Sequence, residues 1–354
     1  LNLSLDASAK VVGPRYLHGS QIGYIDPVDT PDGGNVGLHK HLAIMTKLSI
    51  GESKYHIIKW LRENKLMKLI QECSIPYLAN FIKIFVNGSW IGITQDPKTL
   101  ISEFKYHRRL NIINYQNSIS WFIKEKTIQI YTDGGRLLRP IFYIENNELS
   151  LTKSYQEKCL TNQFTWQELI FGSKLYPSYS FIKNKNSKEL GIIDYIDVSE
   201  EANALICYDP PIETYTHCEI HPSLMLGVMG NQIVFPANNQ LPRDLFFCGQ
   251  GKQAVSLYNS NFPVRIDKMG VVLNYGQTPL VKSKFLKHIN NEEHPYGENV
   301  IVAIGVYSSY NVEDSIIFNK GSLDRGMFRT TYFNSYETKE ESSSVKGSVI
   351  DSRF

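Results

Sequence analysis

The alternation of apolar and polar positions predicts a chain that combines helices with many short strands. Residues 82–93 (IKIFVNGSWIGI) place alternating apolar positions on both sides of Asn-Gly, a strong signal for a β-hairpin. Residues 127–144 predict a strand, a glycine turn and a second strand. Residues 53–72 and 97–110 instead space their apolar positions as helices do, and the second of these would turn its His-Arg-Arg end toward solvent.

Two segments carry clear local signals for caps and turns. Thr165 with Glu168 fits a capping box that opens a short helix, and Gly172 fits its C-terminal stop. The loop 26–37 (DPVDTPDGGNVG) requires tight turns with at least one positive φ. Together the patterns predict an α+β, multi-domain protein that is rich in strands.

Near the end of the chain, two apolar runs flank a pair of adjacent carboxylates. Residues 299–307 (NVIVAIGVY) and 315–318 (SIIF) read as buried strands, and Glu313 and Asp314 lie between them. The pair is either ordinary turn chemistry or charge that the fold holds at a strand end for a purpose. Spacing alone leaves both interpretations open.

The composition indicates a globular protein, and the distribution of charged residues shows one locally basic region. The 354 residues predict two or three domains, and 42% hydrophobic with 20% charged residues is typical of a globular core. A net charge of +2 gives no whole-chain argument for nucleic-acid binding. Residues 216–290 are locally basic, with seven Lys or Arg against three acids: Arg243, Lys252, Arg265, Lys268, Lys282, Lys284 and Lys287 against Glu219, Asp244 and Asp267.

The five cysteines are odd in number, widely spaced and without a CxxC pair, which predicts free thiols in a reducing compartment. We also expect an intracellular, soluble protein, because no apolar run is long enough to span a bilayer and LNLSLDASAK lacks a signal-peptide layout. The motif His217-Cys218-x-x-His221 invites a zinc interpretation. It supplies at most three ligands and no second pair accompanies it, so we predict no zinc in this chain.

Two further groups could handle phosphate or a metal. In LPRDLFFCGQGKQAV (241–255), Arg243 follows a proline, and Lys252-Gln253 follows a glycine that could open a helix toward an anion. From the pattern alone, solvated side chains explain Arg243 and Lys252 better. Glu313 and Asp314 offer oxygen ligands, but we find no DxDGD-type cluster, so the main ligands of any assisted metal would lie on another chain.

Several stretches, in their order along the chain, resemble the second-largest subunit of multisubunit DNA-directed RNA polymerases, the counterpart of the bacterial β subunit. HCEIHPS points to the eukaryotic and archaeal branch, and the departures from the family pattern together with an AT-rich residue bias suit a large DNA virus or another fast-evolving lineage. The stretches are RYLHGSQIGYIDPVDTPDGGNVGL (15–38), FVNGSWIGITQDPKTL (85–100), YTDGGRLLRPIF (131–142), YTHCEIHPSLMLGV (215–228), NNQLPRDLFFCGQGKQAV (238–255), VRIDKMGVVLNYGQTPLV (264–281) and YNVEDSIIFNKGSLDRGMFR (310–329).

The resemblance implies a central fragment of that subunit, ending in the first part of a double-psi β-barrel hybrid-binding domain. It divides the chain into a fork-like segment, external regions 1 and 2, the start of the hybrid-binding domain, and a polar tail or truncation point: 1–50, 51–145, 146–214, 215–335 and 336–354. The fork-like segment departs from the family pattern at four positions. Asp29 and Asp32 stand where glutamate is usual, Gln21 where histidine is frequent, and Asp26 where cysteine is usual.

The resemblance further implies templated nucleotidyl transfer, in which an RNA 3′-hydroxyl attacks the α-phosphate and pyrophosphate leaves. Arg243 would contact the triphosphate. Glu313 and Asp314 would act indirectly on the second Mg²⁺, which arrives with the nucleotide and whose main ligands belong to the largest subunit. Lys252 and Gln253 would face the RNA 3′ end or the hybrid backbone, and Arg15 the fork beside downstream DNA.

These implied roles need partners: the largest and the other polymerase subunits, DNA template, RNA transcript and nucleotides, with no membrane. We expect the chain to be inactive alone, and to reside in a nucleus, or in host cytoplasm or virion if viral. One alternative is a non-catalytic nucleic-acid-binding or assembly module derived from that subunit. The other is an unrelated hydrolase that pairs Glu313 with a distant acid.

Overall fold

The computed structural model describes residues 1–172, 190–209, 214–340, 342–345 and 348–351, and it divides into two compact units, Leu1–Gly227 and Val228–Phe354. The described residues of the first unit form helices α1 to α6 and strands β1 to β11. The helices are α1 Lys54–Glu63, α2 Ile75–Asn80, α3 Pro97–Arg109, α4 Lys153–Leu160, α5 Trp166–Phe171 and α6 Val198–Glu201.

The strands of the first unit are short, apart from the nine-residue β7. They are β1 Lys47–Leu48, β2 Lys68–Leu69, β3 Ile82–Val86, β4 Ser89–Thr94, β5 Ser118–Phe122, β6 Thr127–Tyr131, β7 Leu137–Glu145, β8 Glu148–Leu149, β9 Ile193–Asp197, β10 Ile206–Cys207 and β11 His217–Cys218. The described part of the second unit contains α7 Leu241–Gly251, α8 Lys320–Asp324, β12 Met269–Leu273, β13 Thr330–Asn334, β14 Ser342–Val345 and β15 Ser348–Asp351. The predicted α+β, strand-rich class is confirmed.

A five-stranded sheet, ordered β2-β4-β3-β6-β5, contains the predicted hairpin. β3 and β4 pair antiparallel around Asn87 and Gly88, whose φ angles of 48° and 74° suit the Asn-Gly turn of a hairpin. Helices α1 and α3 cover this sheet with apolar side chains. The fully buried members of the resulting core include Leu61, Ile84, Leu100, Phe104, Ile128 and Ile130.

The predicted helix at 53–72 is too long. Helix α1 ends at Glu63, and Lys65 follows with a φ of 57°, a conformation that stops a helix. The chain then forms β2, which pairs with β4. This strand pairing replaces the helix that the apolar spacing predicted there. The predictions at 97–110 and 165–171 agree with α3 and α5, and the capping box of Thr165 with Glu168 is present.

A second sheet is built around β7, with strand order β1-β7-β11-β10 and with β8 and β9 also paired to β7. The predicted strand pair in 127–144 exists as β6 and β7, but these strands lie in different sheets. The second core packs between this sheet and α5, and includes Leu138, Ile170, Ile192 and Ile193.

Buried ion pairs join α3 to β9 and α6. Arg108, 2% exposed, donates from both terminal nitrogens to Glu200 at 2.8 Å, and Arg109 donates to Asp194 at 2.8 Å. Burial opposes ionisation of Glu200, but Arg108 and Lys105 together outweigh it and hold the pKa of that carboxyl below its ordinary value. The prediction that His107-Arg108-Arg109 points to solvent is therefore wrong for all three, because these acids pair the two arginines and His107 is also buried.

The second unit exposes much of its apolar surface. Its described strands form two antiparallel pairs, β12 with β13 and β14 with β15, and the double-psi barrel stays a prediction. Residues 299–318 form no strand, and Ile301 and Ile304 are fully exposed. The prediction of buried strands there is wrong, since Ser308, Ser309 and Glu313 have positive φ and no described strand lies alongside.

The division into two units is coarser than the five segments drawn from the sequence, which stay a prediction. No helix in the part of the chain that the structure describes is long and apolar enough to cross a membrane.

Replacing Arg108 by Met should lower the free energy of unfolding of the first unit by about 3–5 kcal/mol, because the buried Glu200 would lose both bonds from Arg108 and, among the described residues, keep only the more exposed Lys105, 3.5 Å away, as a cationic partner. All four tryptophans lie in that unit, so urea unfolding followed by tryptophan fluorescence reports on it. The matched control is Arg62→Met, whose exposed pair with Glu72 should contribute less than about 1 kcal/mol. Equal losses in both variants would contradict the assignment.

Candidate functional site

Arg243 lies in the first turn of α7, where Pro242 fits because its missing N–H is not needed. The side chain is exposed, and its guanidinium carbon lies 5.4 Å from the ring centroid of Phe246. Among the described residues, that guanidinium has no hydrogen-bond or ion-pair partner. It can therefore offer its planar donors to an anion such as phosphate.

Arg243 also lines a cavity of about 410 Å³ within the second unit. The lining also includes Lys282, which forms an ion pair with Glu292, and Tyr296, whose hydroxyl donates to Gln232 Oε1 at 2.8 Å. Among the described residues that line the cavity, Asp244, 4% exposed, is the one carboxylate. No sequence pattern placed Lys282 or Tyr296 beside Arg243, since they follow it by 39 and 53 residues.

Lys252 and Gln253 do not open a helix, as the glycine before them suggested. Lys252 is the C-terminal cap of α7. Backbone carbonyls, and not N–H groups, are unsatisfied at that end of a helix, and they favour a cation. The structure excludes the option of an anion site on helix N–H groups at 251–253, while the nucleic-acid contact of Lys252 and Gln253 stays a prediction. The end of α7 that favours an anion is the one that carries Arg243.

The turn that carries Glu313 and Asp314 is shaped by Asn311. Its side chain accepts from the Tyr307 N–H at 2.8 Å and donates to the Gly305 carbonyl at 2.6 Å. Both acids are exposed, and within the described residues neither carboxylate has an ion-pair or hydrogen-bond partner. Glu313 has a φ of 59°, in the left-handed region. No hydrogen bond or ion pair among the described residues joins either acid to Arg243.

Arg15 organises the loop 26–37. Its guanidinium donates to the carbonyls of Gly34 and Val36 at 2.7 and 3.0 Å, and to those of Val11 and Ala7 at 3.2 and 3.3 Å. Arg15 thus donates its hydrogen bonds to backbone carbonyls of its own fork-like segment. A structural role therefore accounts for the side chain within this unit.

The four unusual residues of the fork-like segment differ in burial. Asp26 is 4% exposed and accepts from the N–H groups of Val28 and Gly227 at 2.9 and 2.8 Å. Burial raises the pKa of this carboxyl. Asp29 is also buried, whereas Asp32 is exposed and Gln21 donates to the Tyr16 carbonyl at 3.4 Å. Asp26 thus holds the segment through the two bonds that it accepts, whereas Asp32 faces solvent.

His217 and His221 have separate structural surroundings. His217 is 3% exposed in β11, and burial lowers its pKa to about 4. His221 caps the short 3-10 helix Pro222–Met225, with its Nδ1 accepting from the Ser223 N–H at 3.2 Å. No group of three or more His, Cys, Asp or Glu side chains in the described ranges could hold a metal ion.

Three family models match the chain. They describe domains 3, 4 and 6 of the RNA polymerase subunit Rpb2, and they match residues 2–48, 84–145 and 229–352. Their order along the chain is the order of the domain numbers. The third of these matches covers Arg243, Glu313 and Asp314.

Curated relatives align with nearly the whole chain. "DNA-directed RNA polymerase II subunit 2" of Arabidopsis thaliana is 36% identical over 96% of this chain and 28% of its own length. "DNA-directed RNA polymerase II subunit RPB2" of Encephalitozoon cuniculi is 36% identical over 98% of this chain and 30% of its own length. The archaeal "DNA-directed RNA polymerase subunit Rpo2" of Sulfolobus acidocaldarius is 31% identical over 92% and 28%. The chain thus spans less than a third of the length of these relatives.

Replacing Arg15 by Ala should loosen the loop 26–37, because it removes every donor that holds the carbonyls of Gly34 and Val36. We expect amide hydrogen exchange in 33–37 to accelerate about tenfold or more, since a hydrogen bond to a charged group contributes roughly 1.5–3 kcal/mol. Arg62→Ala, an exposed arginine of the same unit, should leave this loop unchanged. Unaltered exchange in the Arg15 variant would show that the loop holds its conformation without it.

Proposed function

We propose a function from the premise that this chain belongs to the family of the second-largest subunits of DNA-directed RNA polymerases. The chain forms part of the catalytic core of such an enzyme and positions the incoming nucleotide, its Mg²⁺ and the RNA–DNA hybrid for templated nucleotidyl transfer. The observation that carries the proposal is the alignment with plant, microsporidian and archaeal polymerase subunits over 92–98% of the chain. The chain works only with the largest subunit and the other polymerase subunits, and is inactive alone.

Arg243 contacts the triphosphate of the nucleotide in this proposal. Its support is the exposed guanidinium without a partner among the described residues, held on the first turn of α7. When the 3′-hydroxyl attacks the α-phosphate, negative charge grows on the departing pyrophosphate. A fixed arginine stabilises that charge more in the transition state than in the ground state, which lowers the barrier.

Glu313 and Asp314 act on the nucleotide-bound Mg²⁺ in this proposal, without being its main ligands. Two adjacent exposed carboxylates without an ion-pair partner among the described residues fit a water-mediated contact, and no metal-binding group of three or more His, Cys, Asp or Glu includes them in the described ranges. Mg²⁺, when bound through the largest subunit, supplies Lewis-acid stabilisation of the phosphates. The two acids hold negative charge on the side that the metal approaches, and their mutual repulsion falls when a cation is near.

The other three predicted residues position nucleic acid. Lys252 and Gln253, at the C-terminal end of α7, face the RNA 3′ end or the hybrid backbone, where contacts do not read sequence. Arg15 acts through the loop 26–37, since its donors hold that loop's carbonyls, and the loop faces the downstream edge of the DNA. The DNA template, the RNA transcript and nucleotides are therefore the ligands. The place of action is a nucleus, or host cytoplasm or virion for a viral enzyme.

In the assembled polymerase, Arg243→Ala should lower kcat/KM for nucleotide addition about 100-fold, because a charge-stabilising donor is lost. The measurement is single-nucleotide extension of RNA on a preformed DNA–RNA scaffold with the nucleotide titrated. Arg265→Ala is the matched control, since Arg265 already donates to Asp267 at 2.8 Å within the same unit. If the Arg243 variant elongates RNA normally but binds the scaffold less well, the hypothesis of a non-catalytic binding module is favoured.

The double variant Glu313→Gln/Asp314→Asn should slow nucleotide addition by about tenfold or more at limiting Mg²⁺, and added Mg²⁺ should restore part of the rate. The physical reason is that the amides keep the shape of the turn but remove the charge that favours the metal. Asp324→Asn/Glu337→Gln, which changes two exposed acids of the same unit, controls for a general loss of charge. A deficit that Mg²⁺ does not alter would assign the acids to the turn itself.

A further inference from the structure

Cys207 and Cys218 lie directly opposite each other in neighbouring strands. β10 pairs with β11 in parallel, and the register sets Cys207 against Cys218. The side chains are 5% and 2% exposed. Burial, followed by the neighbouring Cys207, raises the pKa of the Cys218 thiol to about 12.

This arrangement meets the geometric requirements of a disulfide. Neighbouring strands lie about 4.8 Å apart, and disulfide-linked residues have Cα atoms about 4.4–6.8 Å apart. β10 has two residues and stands at the edge of its sheet, with β11 as its neighbour in the strand order. A short edge strand can shift by the fraction of an ångström that a bond between the sulfurs requires, because only one ladder holds it.

We propose that Cys207 and Cys218 are a dithiol that oxidises reversibly to an intrachain disulfide and so locks the edge strand β10 onto β11. The oxidant is a small-molecule disulfide such as glutathione disulfide. This modification site is independent of the proposed function. A negative result for one of the two proposals therefore leaves the other standing.

The reaction runs in two exchange steps. The Cys207 thiolate attacks one sulfur of glutathione disulfide, which breaks that bond and releases one glutathione. Cys218 then loses its proton and attacks the Cys207 sulfur of the mixed disulfide, which releases the second glutathione. Two protein thiols are oxidised by two electrons, and one external disulfide is reduced to two thiols.

Burial makes the exchange slow and selective. A thiol in apolar surroundings reacts little until the strand that covers it opens. Cys207 is on the edge strand, so opening of β10 exposes it first. The partly exposed Cys73 and Cys159 meet the oxidant more easily, but neither is paired in register with a second cysteine.

The test equilibrates the 354-residue chain with a graded ratio of reduced to oxidised glutathione, quenches with acid, alkylates in denaturant and maps peptides by mass spectrometry. We expect a peptide pair joined through Cys207 and Cys218 with a loss of two hydrogen atoms, at ratios where Cys73 and Cys159 carry at most single glutathiones. Tryptophan-monitored unfolding should show a higher midpoint for the oxidised chain, and dithiothreitol should reverse the shift.

Two variants make the test decisive. Cys207→Ala should abolish both the linked peptide and the midpoint shift, whereas Cys73→Ala should change neither. Cys207→Ser serves if the alanine variant fails to fold, because it keeps the size of the side chain. The proposal is overturned if Cys218 alkylates fully at every ratio in the native chain, or if it is found linked to a different cysteine.

Discussion

The fold of the first unit depends on charge that is buried and paired. Arg108 is almost fully enclosed, and its two bonds to Glu200 at 2.8 Å join α3 to α6, while Arg109 and Asp194 join α3 to β9. The helix thereby fixes the elements of the β7 sheet to those of the hairpin sheet. Arg136 and Arg139, from β7 and the turn before it, extend the network to Asp197, Glu201 and Glu219. An ion in the interior is tolerable only when its partners and bonds are complete, so these positions constrain one another.

The second unit uses its charge differently. Arg243, Glu313 and Asp314 are exposed, and within the described residues they lack the partners that the first unit's ions have. Unpaired charge on a surface costs little in water, and it keeps its full interaction for a ligand. The unit also leaves long apolar side chains such as Ile301 and Ile304 in solvent. The buried ion pairs described above therefore lie in the first unit, and the exposed candidate residues lie in the second.

Part of the candidate site followed from residue types. The adjacent acids indicated a turn, which is present, and the proline before Arg243 lies with it in the first turn of α7. The direction of α7 did not follow, since a glycine before Lys252 fits either end of a helix. The role of Arg15 did not follow either, because its four carbonyl partners lie up to 21 residues away.

What the sequence determined by itself is local or ordered along the chain. Local spacing of residues is enough to produce three of these features: the Asn-Gly hairpin, α3 and the capped α5. The order of the family motifs can likewise be seen along the chain. Only the tertiary structure decided which charges are buried and which are exposed. In sequence, His107-Arg108-Arg109 resembles a solvated helix end. In the structure, Glu200 and Asp194, about 90 residues further along the chain, pair with the two arginines. The sequence of 299–307 resembles a buried strand, but no described strand pairs with it in the structure. Burial is a property of partners, and spacing within one segment does not contain them.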